Sequence, residues 1–180
     1  WSRQVVIDGR VDAVILNSGG ANACTGSPGF LDTHRTAEKV GEVLGVSAGD
    51  VVVCSTGLIG ERLPMDLLLP GVDAVATALS VDGHDAAATA IMTTDTVSKQ
   101  ATFVGDGWSV SGMAKGAGML APALATMLVV ITTDAVTHPK EMDLVLRGAT
   151  AVSFDRIDSD GCMSTNDTVL LMASGASGTT

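Results

Sequence analysis

Short apolar runs separated by glycine-rich and polar segments dominate the chain. Four runs have the length and composition of buried β-strands: residues 11–16 (VDAVIL), 51–54 (VVVC), 127–131 (MLVVI) and 168–173 (TVLLMA). Residues 100–104 and 108–110 alternate around Gly105-Asp106-Gly107, a pattern that predicts a β-hairpin.

Helical spacing of apolar residues fills most of the intervals between these strands. The predicted helices are residues 34–44 with Asp32 or Thr33 as the cap, a region from Pro64 to Leu79 that Pro70 interrupts, residues 82–92 with Asp82 as the cap, and residues 138–154 with Pro139 in the first turn. Strands that alternate with helices indicate the α/β class, and the pattern leaves the strand order open.

Composition indicates a folded protein. Hydrophobic residues make up 46% of the 180 residues and charged residues 17%, enough apolar side chains for one sizeable core. The formal net charge of −10 argues against a nucleic-acid partner, because phosphate binding needs clustered lysine and arginine. An acidic protein suits a cationic substrate, and it is equally consistent with simple solubility.

The cysteines and the termini bear on the cellular compartment. Cys24, Cys54 and Cys162 are widely spaced and odd in number, which favours reduced thiols in a cytoplasmic protein over disulfides or a zinc site. A calcium loop at residues 155–161 is rejected, since Arg156 occupies the first ligand position. We therefore expect no metal. We also expect no membrane association, because the sequence shows no signal peptide and no run long enough to span a bilayer.

The candidate chemistry lies in residues 115–134. A glycine-alternating run (KGAG) and Pro122 precede Ala125-Thr126, and a buried strand follows. A threonine in that position could be held rigidly and still be approached. On propensity alone, however, a threonine at the start of a strand is only a β-branched residue where such residues are favoured.

Five segments resemble, in order, the ornithine acetyltransferase family, the ArgJ-like bifunctional glutamate N-acetyltransferases of arginine biosynthesis. They are NSGGANACTG from Asn17, VCSTGLIG from Val53, IMTTDTVSK from Ile91, KGAGMLAPALATML from Lys115 and FDRIDSDGCMSTNDTV from Phe154. The resemblance runs from about Val11 to Ser177, and Ser98 departs from it because proline is usual there.

The resemblance implies layered sheets sandwiched by helices, in a self-processing fold with an N-terminal threonine nucleophile. The chain would cut itself between Ala125 and Thr126. Residues 1–125 would then be the C-terminal part of an α chain (the first lobe, incomplete), and residues 126–180 the N-terminal part of a β chain. The freed α-amine, with a reference pKa of about 7.7–8.0, would serve as the base for the Thr126 hydroxyl.

The resemblance also implies roles for four further residues. Thr56 and Gly57 would form the oxyanion hole, and Thr93 and Lys115 would bind substrate together with Thr126. From the residues alone, the segment around Thr56 and Gly57 is a turn at a strand end, and Lys115 is a solvated surface lysine. The loop from Asn17 would support the site, and residues 154–167 would have a structural role.

The implied reaction is ping-pong acetyl transfer from N-acetylornithine to glutamate, which releases ornithine. No cofactor would be tightly bound, and acetyl-CoA would be a second donor in bifunctional members. The family assembles as two α and two β chains. Its members are longer at both ends, so we expect an internal fragment that cannot complete an active site. The alternatives are a non-catalytic α/β binding domain and a related self-processing aminopeptidase-type hydrolase.

Overall fold

The computed structural model describes residues 1–180, without the side chains of residues 124 and 125. The chain divides into two units, Trp1–Ile91 and Met92–Thr180. The division expected at Ala125-Thr126 concerns processing rather than packing, and it stays a prediction.

The first unit is a βαβ arrangement with additional helices. In chain order it contains α1 (Ser2–Val5), a 3-10 turn (Val6–Asp8), β1 (Ala13–Gly20), α2 (Gly26–Leu44), a 3-10 turn (Ala48–Asp50), β2 (Val51–Leu58), α3 (Met65–Thr77) and α4 (His84–Ala90). β1 and β2 pair in parallel, in the register Ala13 with Val51 through Gly19 with Gly57. The core is aliphatic, with Ala37, Val40, Val51 and Val72 at its centre.

Both strands of this unit are longer than the sequence predicts. β1 takes in residues 17–20 and β2 takes in residues 55–58, which the sequence predicts to be loop and turn. The reason is that each strand supplies the other with backbone hydrogen-bond partners, so polar and glycine residues stay in the ladder. The prediction of a turn at Thr56 and Gly57 is therefore wrong.

Helix boundaries differ for similar reasons. α2 begins at Gly26, and Asp32 is not its cap: the Asp32 side chain is buried and accepts two hydrogen bonds from Arg62, at 2.8 and 2.9 Å. α3 continues through Pro70, because the packing of Val72 in the core outweighs the one backbone hydrogen bond that a proline removes. α4 is capped by Gly83 rather than Asp82.

The second unit is built on a four-stranded sheet. It contains β3 (Lys99–Val104), β4 (Ser109–Lys115), β5 (Leu120–Ala121), β6 (Leu124–Ala125), β7 (Leu128–Thr133), α5 (Pro139–Val152), a 3-10 turn (Phe154–Arg156) and β8 (Thr168–Ala173). The sheet order is β3-β4-β7-β8, with β7 antiparallel to β4 and parallel to β8, and β5 and β6 pair separately.

The sequence predicts most elements of this unit well. The hairpin is confirmed, with the Gly105 N–H donating to the Trp108 carbonyl at 2.8 Å. β7 is a buried central strand, as its apolar run predicts, and β8 has the predicted bounds. α5 begins with His138 as the cap and Pro139 in the first turn. Leu120, Met127 and Val129 form the centre of the core.

Candidate active site

Thr126 lies between the two-residue strand β6 and the buried strand β7. Its backbone N–H donates to the Met119 carbonyl at 2.8 Å, and its hydroxyl donates to the Ser164 hydroxyl at 2.9 Å. The Lys115 ammonium group donates to the Thr126 carbonyl at 3.4 Å. Both sides of this residue are therefore fixed by hydrogen bonds, while Thr126 itself is only half-buried.

The turn before Thr126 has an unusual backbone. Leu120 pairs with Ala125, and the residues directly before β5 and β6, Met119 and Ala123, have φ of 56° and 62°. Residues with a Cβ are disfavoured in this left-handed region by about 1–2 kcal/mol each. The side chain of Ala125, the other residue of the expected cleavage, lies outside the described residues.

Residues 159–166 pack against this turn. The Asp160 carboxylate accepts hydrogen bonds from the backbone N–H of Met119 at 2.8 Å and of Leu120 at 3.3 Å, and the Ser159 N–H donates to the Leu120 carbonyl at 2.9 Å. The hydrogen bond from the Met119 N–H, followed by that from Cys162, lowers the pKa of Asp160. An ionised carboxylate thus holds the upstream side of the turn in place.

Lys115 is buried, with 2% of its surface exposed, so the alternative of a solvated surface lysine is wrong. Its neighbour Asp95 accepts from the Gly116 N–H at 2.8 Å, from the Thr93 N–H at 3.3 Å and from the Lys99 ammonium group. Burial lowers the pKa of Lys115, and this effect is opposed by the charge of Asp95 and reinforced by that of Lys99. The site therefore contains a buried cluster of charges beside Thr126.

Thr93 lies at the edge of this cluster. Its side chain is exposed, and its backbone is tied to Asp95. The structure thus brings together three of the predicted residues. The Thr93 N–H donates to Asp95, and Lys115 interacts with the charge of Asp95 and donates to the Thr126 carbonyl.

Thr56 and Gly57 belong to the first unit, near the end of β2. Thr56 is fully buried opposite Ser18, and Gly57 has φ of 132° opposite Gly19. A Cβ at Gly57 would collide with the Gly19 carbonyl carbon and would lie 2.6 Å from its oxygen. The close approach of the two strands requires glycine at this position.

The loop that follows β1 is tied to β2. The Asn22 N–H donates to the Ser55 hydroxyl at 2.7 Å, and the Asn22 amide donates to the Gly29 carbonyl at 2.7 Å and to the Thr33 hydroxyl at 2.8 Å. These contacts hold the segment from Asn17 beside the strand end that carries Thr56. The supporting role expected for that segment stays a prediction.

Several groups belong to other parts of the chain. His34 contacts the Phe30 carbonyl and His138 caps α5, as expected of histidines without a catalytic role. Among the described residues, none of Cys24, Cys54 and Cys162 forms a disulfide. In the described part of the chain, no cluster of three or more His, Cys, Asp or Glu side chains is arranged to hold a metal ion. Nor do its helices include one with the length and hydropathy needed to cross a bilayer.

Fold and site together define an α/β protein with a candidate acyl-transfer centre at a half-buried threonine. The sequence matches the model of the ArgJ family over residues 1–180. The chain belongs to the ArgJ family, and the resemblance read from its five segments is confirmed.

Named relatives agree with this assignment. The chain is 67% identical over 180 residues to the arginine biosynthesis bifunctional protein ArgJ of Streptomyces coelicolor, and 64% identical over 180 residues to that of Thermobifida fusca. Each match covers the whole chain and 47% of the relative, so the chain spans about half the length of these curated relatives.

A solved structure has a similar fold. The crystal structure of an ornithine acetyltransferase from Mycobacterium tuberculosis, in complex with ornithine, matches with a TM-score of 0.67 at 58% identity. The match covers 69% of this chain and 69% of that one. The α/β class is thereby confirmed.

Four residues of the site were not singled out from the sequence: Asp95, Asp160, Ser164 and Asn166, whose amide oxygen accepts a hydrogen bond from the Ser164 hydroxyl at 3.2 Å. Asp95 lies inside the motif IMTTDTVSK, where attention falls on the threonines. The other three belong to residues 154–167, to which the sequence assigns a purely structural role. Their distance in sequence from Thr126 hides the contacts, which only the fold creates.

Proposed function

We propose that the protein carrying this chain transfers an acetyl group from N-acetylornithine to glutamate, through a Thr126 freed by self-cleavage. The observation that carries the proposal is the position of Thr126: its hydroxyl, N–H and carbonyl are all held by hydrogen bonds, directly after a strained turn. Family membership, and a structural relative crystallised with ornithine, support the substrate class.

The cleavage would begin with attack of the Thr126 hydroxyl oxygen on the Ala125 carbonyl carbon. The oxygen–carbon bond forms, the Ala125–Thr126 C–N bond breaks, and the hydroxyl proton ends on the leaving nitrogen. Water then hydrolyses the ester, which frees an Ala125 carboxylate and restores the hydroxyl. The turn at Met119 and Ala123 supports this step, since strained backbone raises the energy of the ground state.

In the processed protein the Thr126 amine would act as the base for its own hydroxyl. Near neutral pH a useful fraction of an α-amine is unprotonated, so the nucleophile needs no histidine. The hydroxyl would take the acetyl group from N-acetylornithine, release ornithine and pass the acetyl group to glutamate.

The remaining roles are those that the family resemblance implies. Thr56 and the Gly57 N–H would stabilise the oxyanion. Lys115 and Thr93 would bind the substrate, with Lys115 facing a carboxylate. Burial supports this role for Lys115, because an ion pair is stronger where water is excluded.

The sheet of the second unit suits a protein that is cut in two. β3 and β4 precede the scissile bond and β7 and β8 follow it, yet β4 and β7 pair over six residues. Cleavage would therefore leave the two products joined by the centre of one sheet. We also propose that the processed protein assembles as two α and two β chains in the cytoplasm. It would use acetyl-CoA as a second donor and would bind no cofactor tightly.

The test uses the full-length protein that carries this chain. Intact-mass analysis should find two chains that separate before Thr126, and Thr126→Ala should remain whole. Acetyl transfer from N-acetylornithine to glutamate, assayed without CoA, should be present in the wild type and lost in the variant. Cleavage without acetyl transfer would indicate the aminopeptidase-type hydrolase instead. A protein that neither cleaves nor transfers would indicate a binding domain.

A further inference from the structure

The Thr126 hydroxyl is linked to a second hydroxyl and then to an amide. Thr126 Oγ1 donates to Ser164 Oγ at 2.9 Å, and Ser164 Oγ donates to Asn166 Oδ1 at 3.2 Å. Ser164 is only 8% exposed, so bulk water competes little for these bonds. A threonine hydroxyl can rotate about its C–O bond, and a fixed acceptor removes that freedom.

The segment that carries Ser164 is also fixed on the other side of the scissile bond. Ser159 and Asp160 bind the backbone of Met119 and Leu120, upstream of the cleavage position, while Ser164 binds Thr126 downstream of it. Residues 159–164 therefore contact the chain on both sides of the scissile bond. This explains how a residue 38 positions away is held in register with the nucleophile.

We propose that Ser164 orients the Thr126 hydroxyl for attack on the preceding carbonyl, which deepens the function proposed above and rests on it. When the Thr126 proton points to Ser164, the oxygen lone pairs are free to face the Ala125 carbonyl carbon. Ser164 does not keep the proton, because the Asn166 amide oxygen beyond it is not a base. The proton passes to the leaving nitrogen of Thr126, and Ser164 fixes only the geometry of the reacting oxygen.

The experiment follows cleavage of the full-length protein during cell-free synthesis, with intact mass as the readout. Ser164→Ala should slow cleavage at least about tenfold, the rate effect of about 1.4 kcal/mol. Ser164→Cys keeps the volume but is a weak acceptor, and it should be similarly slow. Ser164→Thr retains the hydroxyl and should regain most of the rate. Thr165→Ala removes an exposed neighbouring hydroxyl and should cleave like the wild type.

The outcomes separate this inference from the proposed function. Wild-type cleavage rates in both Ser164→Ala and Ser164→Cys would overturn the role of Ser164 and leave the threonine mechanism intact. A Ser164→Thr variant that is folded yet as slow as Ser164→Ala would also overturn it, because the hydroxyl would then not be what matters. If the wild-type protein itself stays whole, the proposed function fails first.

Discussion

Asp95 offers a quantitative test of how the site is held together. Its side chain has no exposed surface, and it accepts hydrogen bonds from Lys99, from the Gly116 N–H and from the Thr93 N–H. Burial alone would disfavour the charged carboxylate, but these three partners outweigh it and lower the pKa of Asp95 from 3.8 to about 2. Asn at this position would keep the shape and remove the charge.

The sign of the pH effect follows from that shift. A carboxylate whose pKa is lower in the folded state stabilises the fold above its unfolded pKa and ceases to do so as the pH falls through its folded pKa. The contribution of Asp95 is therefore complete above about pH 4 and is lost between about pH 4 and pH 2. At 1.36 kcal/mol per pKa unit, the free energy of unfolding should lose about 2 kcal/mol over that window.

The assay is urea unfolding of the second unit, monitored through Trp108. The chain has two tryptophans, one in each unit, so Trp1→Phe leaves Trp108 as the reporter. At pH 7 Asp95→Asn should be about 2–3 kcal/mol less stable than its parent, because it leaves Lys99 and Lys115 without their counter-charge. The gap should shrink by about 2 kcal/mol as the pH is lowered to 2.

Other carboxylates also titrate in this range, so the difference between the variant and its parent is the quantity that counts. Asp143→Asn is the matched control: Asp143 also accepts from a basic side chain, Arg147 at 2.8 Å, but that pair is exposed. Its effect on unfolding should be far smaller, since water screens a surface pair. A gap between Asp95→Asn and its parent that stays constant from pH 7 to pH 2 would refute the argument.

Two further predictions concern glycine and lysine positions. Gly57→Ala should lower the stability of the first unit by at least about 2 kcal/mol in urea unfolding, because the new Cβ is strained at this φ and collides with Gly19. Gly71→Ala is the control: Gly71 lies in open space within α3, and alanine there should raise the stability by about 0.5–1 kcal/mol. Equal effects would contradict the strand geometry. Lys115→Met should lower the stability of the second unit less than Asp95→Asn does, because Asp95 keeps its hydrogen bonds from Lys99 and the Gly116 N–H, and it should raise the KM for glutamate at least about tenfold. An unchanged KM would remove Lys115 from the substrate site.

The sequence predicts the elements of the second unit better than those of the first. Buried β7 and β8 are continuous aliphatic runs, and α5 has a complete helical period with a proline in its first turn, so local pattern and final structure coincide. In the first unit, residues 55–58 have the composition of a turn. They form a strand because β1 lies beside them, and a partner strand cannot be read from local composition.

For the site, the sequence determined which residue types are present and, through the resemblance of its five segments, which bond and which threonine matter. Tertiary structure decided their surroundings. It buried Lys115, gave Asp95 the partners that keep it charged, and placed Ser164 against the Thr126 hydroxyl. The contacts of Gly116 with Asp95 and of Ser164 with Thr126 join residues far apart in the chain. The strength of the charged contacts depends on the exclusion of water, which exists only once the sheet and the turn have packed together.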